Sequence, residues 1–178
     1  MKKTIIKLLI LISIVIAITC TLLLLNNNNS KSKAHQNISK SPDLLAINSY
    51  SNYAWGYSFS GTAIFSDGSI YTWKENDSSA VENYDLQTTK GLEEYILKEG
   101  KLKNKKVSDK DLKEIKKHIN KVDDDINIKH PGADMGTYSI TIINKNNKQI
   151  TLKCSGDSTG ENKTENSQKL LKIIEKYS

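Results

Sequence analysis

The chain has no arginine and only two cysteines among its 178 residues. Arginine supplies the planar fork that grips phosphates and base edges in two places at once, so its absence argues against a nucleic-acid partner. Cys20 lies in an apolar N-terminal run and Cys154 near the other end, which excludes an internal disulfide across that boundary. Acidic residues are absent from the first forty positions, which hold six lysines. Residues 41–178 hold twenty lysines and twenty acids, so the formal charge of +6 comes entirely from the N-terminal end. The charge therefore speaks to topology and leaves the larger part of the chain neutral.

What the sequence does have is an uncharged stretch, Leu8 to Leu25, in which thirteen of eighteen residues are Leu, Ile or Val. At about 1.5 Å per helical residue the run covers about 27 Å, near the hydrocarbon thickness of a bilayer. Lys2, Lys3 and Lys7 precede it and Asn26–Asn29 follow it. The positive-inside rule then predicts a cytoplasmic N-terminus with the remainder outside, held by residues 5–25. Three processing routes fit to different degrees. A cleaved secretory signal has a shorter apolar core and a small-residue cleavage site. Ala17-Ile18-Thr19-Cys20 partly matches a lipoprotein signal, with Cys20 as the lipidated residue, but cleavage there leaves the apolar stub Thr21–Leu25. An uncleaved signal-anchor over 1–25 accounts for length, flanks and stub together.

Residues 26–42 are rich in Ser, Asn and Lys without periodicity and read as a flexible tether. Residues 43–178 then suffice for one domain with a core of its own. The expected order is β-β-α-α-β-β-α, an α+β fold in which an antiparallel sheet of two hairpins carries its helices on one face. The first hairpin spans 53–65 and 69–74 around Ser66-Asp67-Gly68-Ser69, with Asp-Gly as a two-residue turn. Thr88 or Thr89 caps a helix to Glu99, and Ser108 or Asp109 caps one striped by Leu112, Ile115, Ile119 and Val122. A second hairpin pairs Thr137–Ile143 with Gln149–Cys154, and a last helix covers about Asn166–Tyr177.

Eight of the twelve aromatic residues lie between Tyr50 and Trp73. Period two puts Tyr53, Trp55, Tyr57 and Phe59 on one strand face, either as a core or as a surface for a sugar or partner strand. Tyr53, Trp55 and Tyr57 are thus the candidate binding residues. The chemistry candidates are weaker. Cys154 with His118 or His130 would make a hydrolase only if thiolate and imidazole met, yet strand alternation sends Cys154 to the side of Ile150 and Leu152, where a free cysteine packs as a small hydrophobe. Asp123, Asp125, Asn127 and Asp134 imitate a calcium loop, but Ile128 replaces its obligatory glycine and Pro131 interrupts it. Ser155–Asn162 lacks the Gly-Lys-Ser/Thr ending of a phosphate cradle, and Asn162-Lys163-Thr164 matches a glycosylation sequon in a chain of bacterial composition. The lysines of 98–121 suit a solvated helix face or an anionic surface polymer. No metal or cofactor is expected.

The blocks Ala54-Trp55-Gly56-Tyr57, Ser66-Asp67-Gly68-Ser69-Ile70-Tyr71, Gly136-Thr137-Tyr138 and Ser155-Gly156-Asp157 with the final helix resemble small membrane-anchored or lipoprotein-like secreted domains of low-GC Gram-positive bacteria. The resemblance implies an extracytoplasmic domain and carries no activity. The resulting expectation is a single-span protein of the cell membrane displaying a binding or interaction module toward an envelope protein or surface polymer. The alternative is an extracytoplasmic hydrolase built on Cys154.

Overall fold

The computed structural model describes residues 41–178 except 55 and 133. The expected anchor over 1–25, Cys20, nearly all of the tether and Trp55 lie outside the described residues. Among those described, no helix is long and apolar enough to cross a membrane. Pro42–Ser178 is one compact unit.

Its strands are β1 (Leu44–Asn52), β2 (Ser58–Phe65), β3 (Ile70–Glu75), β4 (Lys101–Leu102), β5 (Thr137–Ile143), β6 (Gln149–Gly156) and β7 (Gly160–Glu161). The α-helices are α1 (Thr89–Glu99), α2 (Asp109–His118) and α3 (Glu165–Glu175). All seven strands join one antiparallel sheet in the order β4-β3-β2-β1-β5-β6-β7. The α+β class, both expected hairpins and all three helices are present, with two corrections. The first hairpin begins at Ser58 rather than residue 53, and the strand that joins the two hairpins is β1, whose apolar start and polar end hide it from a search for alternation. The helices also do not share one face. Leu92, Tyr95 and Ile96 of α1 pack with Phe59, Ala63, Phe65 and Trp73, whereas Ile115 of α2 and Leu170, Leu171 and Ile174 of α3 pack with Ala46, Ile64, Ile70, Ile142 and Leu152. Because Ile64 sits between Ala63 and Phe65, the clusters lie on opposite faces of the sheet. A sheet apolar on both sides must be covered on both.

Turn chemistry sets the register. Phe65 N–H donates to Ser69 O at 3.0 Å and Gly68 N–H to Phe65 O at 2.9 Å, closing a three-residue loop instead of the expected two-residue turn. Gly68 has φ +80°, the left-handed position such loops need. The β5–β6 loop repeats the design with Asn147 at φ 58°, and Asn144 Oδ1 accepts from the N–H groups of Asn146 and Lys148. Gly61 answers a packing need: a Cβ there would stand 2.5 Å from Trp73 Cζ2 and 2.4 Å from Asn48 O. The bare backbone lets the indole lie flat across β2, 5.4 Å from the Phe59 ring centroid.

The helices start where side chains accept free N–H groups. Thr88 Oγ1 accepts from Gly91 N and Ser108 Oγ from Asp111 N. At the head of α3 the Thr164 hydroxyl donates instead to Asn162 Oδ1 at 2.8 Å. Asn162 is fully buried. Its Nδ2 donates to Asp123 O at 2.8 Å and its Oδ1 also accepts from Thr164 N–H at 3.1 Å. That burial, together with the complete bonding of the side chain, rules out the sequon as an accessible acceptor in the folded domain. Asn162→Ala leaves the Asp123 carbonyl and the helix-start N–H of Thr164 without these part-buried hydrogen bonds, a loss of about 1–3 kcal/mol for each group kept from water. We expect a loss of about 2–3 kcal/mol in urea unfolding with an unchanged m-value.

Asp111 ties α2 to the C-terminal end of the chain. Its Oδ2 accepts from the Tyr177 hydroxyl and pairs with Lys176 Nζ at 2.6 Å. Lys176 first and Tyr177 second hold the carboxyl down at about 2. A carboxyl whose folded value is depressed contributes stability that is complete above its unfolded value of about 3.9 and disappears as pH falls toward 2. Solvent at the 14% exposed side chain screens part of the shift, leaving about 1 kcal/mol. Asp111→Asn should therefore be less stable at pH 7, and unfolding free energies of the two proteins should converge by about 1 kcal/mol between pH 5 and pH 2.

Candidate binding groove

The aromatic residues singled out in the sequence divide by environment. Phe59 and Trp73 are buried with Tyr95 in the core under α1. Tyr53 and Tyr57 lie in the loop between β1 and β2, where Gly56 turns the chain at φ +111°. Tyr53 is 71% exposed and meets the half-buried Tyr57 edge-on, with ring centroids 5.6 Å apart. Burial, then the neighbouring Tyr53 and Glu75, push the Tyr57 phenol up to about 12. The two rings form a pair at one loop; Phe59 does not extend them into a platform, because it belongs to the core.

Cys154 and the histidines are not brought together. A register slip between Ile140 and Thr141 pairs Cys154 with Ser139. Partners across a ladder share a face, and Ser139 alternates with Ile140. Cys154 thus departs from the expected side of Ile150 and Leu152 and falls on the α1 side, buried as expected. Burial raises its thiol, the opposite of nucleophile activation. His118 sits on α2 between Asn166 Oδ1 at 2.7 Å and Glu114 Oε2 at 3.2 Å, a structural bridge to α3. His130 is exposed and bonds Ser158 Oγ at 3.0 Å. The acids of the calcium-like loop are dispersed: Asp124 pairs with Lys148 at 2.7 Å, and no metal-holding group of His, Cys, Asp or Glu forms among the described residues.

The site the sequence did not reveal lies on the sheet itself, on the face that α2 and α3 cover. Cross-strand register builds it as rungs. The first rung, Ile142–Ala46–Ile64–Ile70, is wholly apolar and buried beneath the helices. Two residues along each strand comes Ile140–Asn48–Thr62–Thr72, and beyond it Tyr138–Tyr50–Ser60–Lys74. The same face thus changes from aliphatic to polar along every central strand. Here it opens into a groove of about 330 Å³ bounded by Asn48, Tyr50, Ser60, Thr62, Thr72, Lys74, Tyr138 and Ser178, with Gly61 and Trp73 completing the lining. At about 4.8 Å between strands, the four-strand floor measures about 14 Å across.

Asn48 is the distinctive member. It is only 5% exposed, yet its Oδ1 makes no hydrogen bond among the described residues. Tyr50 is held in place from behind: its hydroxyl donates to Met135 O and accepts from Asn52 Nδ2, each at 3.1 Å. The Met135 loop is pinned in turn by Asp157, whose carboxylate accepts from the N–H groups of Met135 at 2.8 Å and Gly136 at 2.9 Å. Tyr138, directly opposite Tyr50 on the ladder, leaves 44% of its surface open. No carboxylate side chain lines the groove, and Lys74 is the one cationic side chain among its described lining residues. Such a set can accept, donate and stack.

Compared with protein-family models, curated proteins and solved structures, the chain matches none. A smaller hollow of about 230 Å³ at the outer edge of β3, lined by Thr72, Trp73, Lys74, Glu75, Glu99 and Lys101, is of mixed charge, and its orphaned group is the indole Nε1 of Trp73, which packs among the core rings.

The burial of Cys154 gives a direct check. Thiol reagent added to the folded protein should leave Cys154 unmodified over the time in which a denatured sample reacts fully, read by mass at that peptide. Rapid labelling of the native state would restore it as a candidate nucleophile.

Proposed function

We propose that the chain is a membrane-anchored binding module of the bacterial cell envelope, held by residues 5–25 with the domain of 43–178 displayed outside the cell. The reading of the N-terminal run as a signal-anchor comes from its length, apolarity and lysine flank. The reading of the domain as a binder rests on one observation: an open polar groove, on an otherwise aliphatic sheet face, lined by Asn48, whose buried amide oxygen has no hydrogen bond among the described residues. Buried polar groups are normally bonded, and those left free in a concave site are where ligands attach. An envelope polymer or an envelope protein reaches such a groove from the extracytoplasmic side. Tyr53 and Tyr57 are assigned a secondary contact, since the exposed ring of Tyr53 offers stacking surface.

Two measurements test this. Protease added to intact cells should remove the domain while sparing the cytoplasmic N-terminus; a protected domain would refute the topology. Detergent-solubilised full-length protein should bind isolated Gram-positive cell envelope saturably, and Ser60→Trp, which fills the groove, should reduce retention at least tenfold with little change in unfolding midpoint. Retention that is unsaturable or indifferent to Ser60→Trp would refute the groove.

A further inference from the structure

From the groove's own chemistry we infer the class of its ligand: a neutral, hydroxyl-rich sugar unit, as found in an uncharged glycan. The inference rests on the binding-module reading and narrows it. Asn48 Oδ1 is an acceptor without a donor among the described residues, so a ligand that completes it must bring an O–H or N–H. Thr62 is its neighbour on the same rung and Thr72 lies one strand beyond; the Thr62 hydroxyl can donate and accept, while Thr72 Oγ1, which donates to Lys101 O at 3.5 Å, keeps its acceptor capacity. A ligand that bonds all three must present several groups of both kinds at close spacing, which is the character of a polyol.

The aromatic wall adds a second requirement. Tyr50 and Tyr138 stand opposite each other on the ladder, and the Tyr50 hydroxyl is already committed to Met135 O and Asn52 Nδ2. Tyr50 therefore offers the groove its ring rather than its oxygen. A ring face takes up the C–H surface of a sugar while the sugar's hydroxyls turn to the rung of Asn48 and the threonines.

Charge argues against an anion. Lys74 is the only cation on the lining, and arginine is absent from the chain. The C-terminal end of α3, whose free carbonyls carry the negative end of the helix dipole, reaches the groove through Ser178, which lines it and donates to Ile174 O at 3.0 Å. A phosphate-rich polymer would meet that end with one lysine to hold it. An extended peptide would seek a free strand edge, whereas this floor consists of paired central strands.

The test uses isotope-labelled full-length protein in detergent micelles. Its probes are neutral oligosaccharides of glucose, galactose and N-acetylglucosamine, with polyphosphate and an unstructured neutral peptide as competitors. We expect one neutral oligosaccharide to shift the amides of Asn48, Thr62, Thr72 and Tyr138 saturably. Asn48→Ala and Thr72→Val should each weaken that binding at least tenfold. Asn48→Ala removes an unpartnered buried carbonyl, so its unfolding midpoint should stay level or rise, which separates a ligand contact from a structural one. Shifts at the groove from polyphosphate or the peptide alone would overturn the sugar assignment and leave the binding module standing. A groove unmoved by every probe would overturn the sugar assignment and leave the binding module to the envelope-retention test. Sugar binding unaffected by either substitution would overturn the assignment of these residues.

Discussion

Strand β1 is the constraint around which the domain is built. It lies at the middle of the sheet, paired on one side with β2 and on the other with β5, and so joins two hairpins that are far apart in sequence. Its first half serves both cores: Leu44 and Ile47 belong to the aromatic cluster, while Ala46 belongs to the aliphatic one. A one-residue slip of β1 would exchange those faces and send Asn48 toward the rings. The bulge between Leu44 and Ala46 therefore matters, because it lets the strand enter with Leu44 on the aromatic side before regular alternation begins.

The two faces are stabilised differently. The aliphatic side is mainly Ile, Leu and Val, with area as its chief term and the bonds of Asp111 to Tyr177 and of His118 to Asn166 tying its helices together. The aromatic side stacks Phe59, Trp73, Tyr95 and Tyr84 with centroids between 5.3 and 6.4 Å, in tilted or edge-on pairs. Tyr95 reaches Glu75 Oε1 at 3.3 Å, and burial with that carboxylate pushes its phenol up. Trp73 Nε1 and Tyr57 OH are buried without a hydrogen bond among the described residues. Ring packing has been kept there at the expense of polar satisfaction.

What could be read from the residues follows from which physical signals are local. Capping is local: Ser108 and Thr88 announced their helices, and the i, i+3, i+4 stripe of Leu170, Ile173 and Ile174 announced α3. Return strand β6 alternates cleanly and was legible to within two residues of its end. Strand β1 was not, because Leu44-Leu45-Ala46-Ile47 is a short apolar run and Asn48-Ser49-Tyr50-Ser51-Asn52 reads as a loop. Tyr53 and Tyr57 looked like strand residues because their period-two spacing leads straight into a real strand. The groove was invisible for a further reason. Each strand gives it one to three unremarkable residues, such as Ser60 with Thr62, and only register aligns them into rungs.

Asn48 carries the proposal that the groove is more than the place where the helices run out. A sheet face that merely became exposed would need polar side chains, and Thr62, Thr72 and Lys74 meet that need. It would not need a carboxamide at the floor, almost wholly removed from solvent, with its oxygen unmatched. Leaving such a group unsatisfied costs about 1–3 kcal/mol in a domain whose whole stability is about 5–15 kcal/mol. Aliphatic residues already occupy the flanking Ala46 and Ile140 positions on the same face, so an apolar side chain would suit the site's packing. An amide held there against the folding energetics is explained when a partner from outside the chain completes it.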